Sequence, residues 1–280
     1  MKSWQSYMNH STFRLLNDTN KKLIFDVDNN ALTSFALDDA LTLSVSERKS
    51  PPVVRLWRHD DTIVLGIPDS RLPYIDQGIQ FLKEKGFEVI VRNSGGLAVA
   101  LDAGVLNMSI ILPDVKKISI DLGFNIMFNF VKEMFRDVTD QIKAYEIVGS
   151  YCPGDYDLSI DGVKFAGISQ RRIKDAAAIQ IYLDVLGNSY ERAELVRQFY
   201  ELSLQGEQTK FPYPKVNPNV LGSLSSLLNV DLTINDVITR VEKTIQNVSS
   251  EIVTTPLTES EQAHFHKRFE QMIKRNEKIR

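Results

Sequence analysis

The sequence predicts an α+β fold: a mixed, largely antiparallel sheet flanked by helices, with a helical C-terminal extension. Two observations carry this. Around residues 156–185 several strand-like segments follow one another with only turn signals between them, which favours hairpin neighbours over helical crossovers. Beyond the turn-rich connector Phe211-Pro-Tyr-Pro-Lys-Val-Asn-Pro218, the periodic segments have helical spacing.

The elements follow in order. Residues 1–30 mix polar positions with Phe13, Leu15, Leu16 and the strand-like Leu23-Ile24-Phe25. Phe35, Leu37, Ala40, Leu41, Leu43 and Val45 recur at mostly helical spacing and predict a helix over 35–47, ended by Pro51-Pro52. Segments 53–58 and 62–67 read as strands around His59-Asp60-Asp61. A helix over 71–85 is stopped by Gly86, and 87–92 is a strand. A glycine loop then runs Arg92-Asn93-Ser94-Gly95-Gly96-Leu97-Ala98-Val99, followed by a strand over 105–112. Paired glycines let backbone approach a ligand closely. Because this loop leads into a strand-like run, it is neither a P-loop nor a dinucleotide fingerprint. Residues 122–136 form an amphipathic helix whose aromatic stripe reads as core. Residues 176–185 are a strand, and 188–206 a helix with Asn188 and Glu191 in capping-box positions. Helices over 220–228 and 234–248 follow, and Thr258-x-x-Glu261 is a capping box opening the last helix.

Composition narrows the functional classes. With 280 residues and 43% hydrophobic content, the chain can bury a substantial core. A formal net charge of −3 leaves no electrostatic footprint for nucleic acid. No stretch is long and apolar enough to span a bilayer, and the start lacks a signal-peptide core. One cysteine excludes an intrachain disulfide framework and fits a reducing compartment, so the expected location is cytoplasmic. His264 and His266 point to different helix faces, so no metal site is expected. The basic excess of residues 267–280 reads as a solvated helix face.

The stretch Gly149–Arg172 carries the chemistry. Cys152, the sole cysteine, sits on a loop rich in Pro and Gly. A lone cysteine is more often a small buried hydrophobe than a nucleophile. Here Pro153 pushes it out of the helical region, and a loop position makes it accessible. A short strand, the turn dipeptide Asp161-Gly162 and a return strand through Lys164 to Gly167 can bring Lys164 back to that loop. An ammonium near a thiol favours the thiolate, the form that acts as nucleophile.

Two ordered motifs resemble the biotin/lipoate protein ligase and octanoyltransferase superfamily. Arg92-x-Ser94-Gly95-Gly96-x-Ala98-Val99-x-x-Asp102-x-Gly104-x-Leu106-Asn107 resembles its acyl-binding loop. Asp155-Tyr156-Asp157-Leu158-x-Ile160-x-Gly162-x-Lys164-x-Ala166-Gly167-x-x-Gln170-Arg171 resembles its lysine segment. The resemblance spans residues 33–230, leaving 1–32 as an N-terminal extension and 231–280 as a helical C-terminal extension on the same unit. Adenylating ligases carry a third glycine and a histidine where this chain has Leu97 and Leu101. The segment around Cys152 and Lys164 is most similar to the octanoyl-[glycine cleavage H protein]:protein N-octanoyltransferases. That resemblance implies transfer of octanoyl from the glycine cleavage H protein to lysines of lipoyl domains of 2-oxo acid dehydrogenase complexes. It implies Cys152 and Lys164 as catalytic residues and Arg92, Ser94, Gly95, Gly96, Ala166 and Gly167 as substrate contacts, with no cofactor, metal or ATP. Three other readings stand beside it: octanoyl transfer from octanoyl-acyl carrier protein, an ATP-dependent lipoate ligase, and a noncatalytic binder of acyl-carrier domains.

Overall fold

Three strands at the middle of the fold are buried at every position, which is why they read as apolar runs instead of alternating ones. The computed structural model describes residues 3–277 and 279. The chain runs α1 (Gln5–Met8), β1 (His10–Asn17), β2 (Leu23–Ile24), β3 (Val27–Asp28), α2 (Ala31–Ser46), β4 (Val53–Trp57), β5 (Thr62–Leu65), α3 (Ile75–Glu84), β6 (Glu88–Val91), β7 (Val99–Leu101) and β8 (Val105–Pro113). It continues through α4 (Ile120–Met134), β9 (Lys143–Ala144), β10 (Leu158–Ile160), β11 (Val163–Ile173), β12 (Ala176–Asp184), α5 (Ser189–Leu204), α6 (Leu224–Leu228), α7 (Ile234–Gln246), β13 (Ser249–Val253) and α8 (Glu259–Asn276).

The large sheet has the order β13-β1-β4-β8-β12-β11-β10-β9. Only β13–β1 and β1–β4 pair in parallel, so the sheet is mixed and largely antiparallel, as the sequence predicts. A smaller sheet, β6-β5-β7, carries the glycine loop between its two outer strands. The segments on either side of His59-Asp60-Asp61 are indeed strands, but β4 belongs to the large sheet and β5 to the small one. Helix α2 is buried from Ala31 to Val45, polar positions included. It begins earlier than its apolar spacing suggests because the Asn30 side chain accepts from the Thr33 N–H at 3.1 Å and caps it.

Among the strands not apparent in the sequence are two at one side of the large sheet. β1 lies within the segment read as an N-terminal extension, and β13 interrupts the helical C-terminal region. Both are mixed in polarity, and β13 is an edge strand, so neither shows the alternation of a half-buried strand. Tertiary contacts hold them. Arg14 on β1 is 2% exposed and forks onto Glu261 at 2.6 and 3.1 Å, while also donating to the carbonyls of Thr255 and Pro256. Glu261 completes the expected capping box of α8, so one carboxylate both starts that helix and ties it to β1. Of the basic run 267–280, Lys278 and Arg280 lie outside the described residues.

The Asp161-Gly162 turn forms as expected, with φ of +49° and +78°. The return strand β11 extends beyond Gly167 to Ile173 through a polar run that the sequence does not mark as strand. β10 pairs only with residues 163–166, so the 167–173 edge of β11 is left uncovered by that neighbour. The register shifts between Leu158 and Ser159, which face Ala166 and Lys164, so Phe165 is an extra residue on β11, an irregularity common beside active sites.

Candidate active site

Cys152 lies in a loop closed by short-range and long-range bonds. Its φ is +45°, a region that costs an L residue about 1–2 kcal/mol. What holds it there is Lys164. Lys164, paired with Ser159 just after the Asp161-Gly162 turn, is fully buried. Its Nζ donates to the carbonyls of Tyr151 and Cys152 at 2.9 Å each and to Ser150 Oγ at 3.2 Å, and pairs with Asp157 Oδ1 at 2.9 Å. An ammonium has three donors, so these four acceptors saturate it. Burial pushes the Asp157 carboxyl above its ordinary range, against the pull of Lys164 and of the Ile147 N–H at 3.1 Å.

The expected juxtaposition of Lys164 and Cys152 is therefore present, but it runs through backbone oxygen and not sulfur. The groups on Sγ come from the glycine loop. The Leu97 N–H donates to Cys152 Sγ at 3.1 Å, and Arg92 Nη2 lies 3.5 Å from it. Arg92 also donates to the Leu97 carbonyl at 2.8 Å, tying down the residue whose N–H meets the sulfur. One amide and one guanidinium thus bracket the sulfur on the glycine-loop side. Gly96 makes the approach feasible. Its φ is +102°, and a Cβ there would sit 2.2 Å from Arg92 Nη2 and 2.9 Å from Cys152 Sγ. Gly66 is the matching contact beneath, where a Cβ would fall 1.9 Å from the Gly96 carbonyl oxygen.

Cys152 stands at the wall of a cavity of about 560 Å³. Part of its lining is apolar: Phe35, Trp57, Val64, Val99, Leu101 and Tyr182. One row of the sheet supplies its floor, since Trp57, Asn107, Tyr182 and Gly167 are successive register partners on β4, β8, β12 and β11. A Cβ on Gly167 would lie 2.8 Å from the Tyr182 ring. The cavity extends past the uncovered edge of β11 to the first turn of α4, where Phe124 stacks on Tyr156 at 4.9 Å. Of the expected substrate contacts, Arg92, Gly95, Gly96 and Gly167 line it, whereas Ser94 and Ala166 are buried and do not.

Several contributors have no signal in the sequence. Buried Arg55 pairs with Asp18 at 2.6 Å and Asp38 at 3.0 Å, and Asp38 accepts from Ser109 and from the cavity-lining Gln180. This network fastens α2 to the sheet under the cavity. Asp157 lies inside the lysine motif, but nothing in its spacing marks it as the partner of Lys164.

Comparison with known proteins gives four findings. The family model described as "Lipoyl protein ligase A/B catalytic domain" matches residues 30–246. An "Octanoyl-[GcvH]:protein N-octanoyltransferase" of Oceanobacillus iheyensis is 57% identical over 277 residues, covering 99% of each chain. A "Lipoyl-[GcvH]:protein N-lipoyltransferase" of Listeria monocytogenes is 46% identical over 273 residues, 97% of each. Among solved structures, a putative lipoate protein ligase from T. acidophilum with bound lipoic acid aligns with a TM-score of 0.68 at 18% identity. That alignment covers 93% of this chain and 95% of the other, a likeness of fold.

Proposed function

The chain belongs to the lipoyl protein ligase A/B catalytic domain family, and from that premise we propose that it is an N-octanoyltransferase working through a thioester on Cys152. The donor is the octanoylated glycine cleavage H protein, and the acceptors are lysines on lipoyl domains of 2-oxo acid dehydrogenase complexes. The names of its whole-length relatives support the donor. The cytoplasm is the compartment that would hold these partners. Among the described residues no helix is long and apolar enough to cross a membrane.

The observation that carries the chemistry is the Leu97 N–H and the Arg92 guanidinium on Cys152 Sγ at the wall of a partly apolar cavity. The sulfur attacks the octanoyl amide carbonyl and forms the C–S bond. The C–N bond then breaks, and the departing lysine amine leaves carrying the thiol proton. In the second half the acceptor lysine attacks the thioester, the thiolate leaves, and the proton lost by the amine returns to sulfur. Donor and product are both lysine amides, so the exchange is near thermoneutral and requires no nucleotide. The apolar walls take the acyl chain, worth about 0.8 kcal/mol per buried methylene. Lys164 acts by holding the Cys152 loop in shape.

Intact mass of the enzyme after incubation with octanoylated H protein, without ATP, tests this. An octanoyl adduct is expected on the parent and not on Cys152→Ala, which should not transfer. The same incubation with octanoyl-acyl carrier protein separates the two donors. Parent-like turnover by Cys152→Ala, or a strict need for ATP, would sink the reading.

A further inference from the structure

We infer that Asp69 and Tyr200 are positioning residues for the reacting sulfur, clamping the glycine loop on both sides of Leu97 so that its amide stays aimed at Cys152. The two come from distant places, Asp69 from a single turn after β5 and Tyr200 from α5, and both are buried. One carboxylate oxygen of Asp69 accepts from the Gly66 N–H at 2.7 Å. Gly66 in turn supports Gly96, whose carbonyl oxygen occupies the space a Gly66 side chain would need. The other oxygen accepts from Tyr200 Oη at 2.9 Å, and that oxygen accepts from the Ala98 N–H at 3.3 Å. Asp69 thus reaches the loop at residue 96 by one arm and at residue 98 by the other. Between the two arms lies Leu97, whose N–H meets Cys152 Sγ at 3.1 Å.

The clamp is stiff. The Tyr200 ring packs against Phe199 and Tyr213 at 5.2 and 5.8 Å between centroids, and the Tyr213 hydroxyl donates to the Pro68 carbonyl at 2.7 Å. Burying a carboxylate without a direct cation partner is costly. Burial pushes Asp69 up to about 6, against its bonds from Gly66 and Tyr200 and the field of Arg92. A loop that must hold one N–H within hydrogen-bond reach of one sulfur gives that cost a purpose, because small displacements weaken such a bond steeply.

The experiment uses the full-length protein. Tyr200→Phe removes one hydroxyl and leaves the ring packing, and Asp69→Asn keeps the shape while removing the carboxylate. Alkylation of Cys152 by iodoacetamide is timed alongside thioester formation from octanoylated H protein. Each single variant should slow alkylation about three- to tenfold, the worth of one or two hydrogen bonds. Each should lower kcat with KM for the carrier protein unchanged. The double variant should be no slower than the worse single one, since both act in one chain of contacts. Parent-like alkylation in either variant, or additive losses in the double, would overturn the clamp. The kinetic half rests on the proposed transfer reaction and the alkylation half does not, so absence of octanoyl transfer by the parent would count against that reaction alone.

Discussion

Replacing Lys164 with methionine tests the central feature of the site, a buried ammonium that shapes the Cys152 loop through backbone oxygens. Methionine matches the stem and removes the charge. Asp157, 2% exposed, loses its cation, and the carbonyls of Tyr151 and Cys152 lose their donor. Removing one partner of a buried pair costs about 3–5 kcal/mol. At roughly 2–4 °C per kcal/mol for a chain of this size, the melting temperature should fall on the order of 10 °C. Adding Asp157→Asn should recover part of the loss, because the stranded charge is gone, with a coupling of about 1–3 kcal/mol. Function should not recover with it. Neither variant can bind the Cys152 carbonyl, so the loop relaxes from its positive φ and Sγ leaves the Leu97 N–H. Iodoacetamide should alkylate Cys152 more slowly in both. Thermal unfolding and alkylation kinetics of parent, single and double variants decide it. A Lys164→Met protein with parent melting temperature and parent alkylation rate would refute the reasoning.

Two further perturbations follow from the geometry. Gly96→Ala should leave the protein folded but cut transfer and Cys152 alkylation by tenfold or more, because the new methyl displaces Arg92 Nη2 and Cys152 Sγ and the backbone is at φ +102°; unaltered alkylation would contradict the packing described. His59 is buried at 2.9 Å from Ser34 Oγ, and burial, with Arg55 nearby, pushes its pKa from 6.5 to about 3. The unfolded chain therefore takes up a proton below pH 6.5 that the folded protein refuses, so stability drops on acidification by about 1.4 kcal/mol per pH unit from this group. Denaturant titrations between pH 6.5 and 4 should show a shallower loss in His59→Gln, and parallel curves would count against it.

What the sequence by itself determines here is local. The Asp161-Gly162 hairpin, the capping box at Thr258 and Glu261, the glycine loop and the cysteine beside Pro153 each depend on a few adjacent residues whose backbone preferences are intrinsic. The sheet class follows from the spacing of apolar runs, and the pairing of glycine loop with lysine segment from their resemblance to a family. Tertiary structure alone decides which cation meets the sulfur. Lys164 and Arg92 are equally charged and both sit in motifs, but the β10–β11 hairpin sets one against the carbonyls of Tyr151 and Cys152, and the close pass at Gly96 brings the other to Sγ. It also decides that the polar residues 169–172 continue a strand and that β1 and β13 join the sheet, because their partners lie far along the chain. The clamp of Asp69 and Tyr200 on residues 96–98 is likewise outside any local pattern, since a hydrogen bond across 131 positions leaves no periodicity to read.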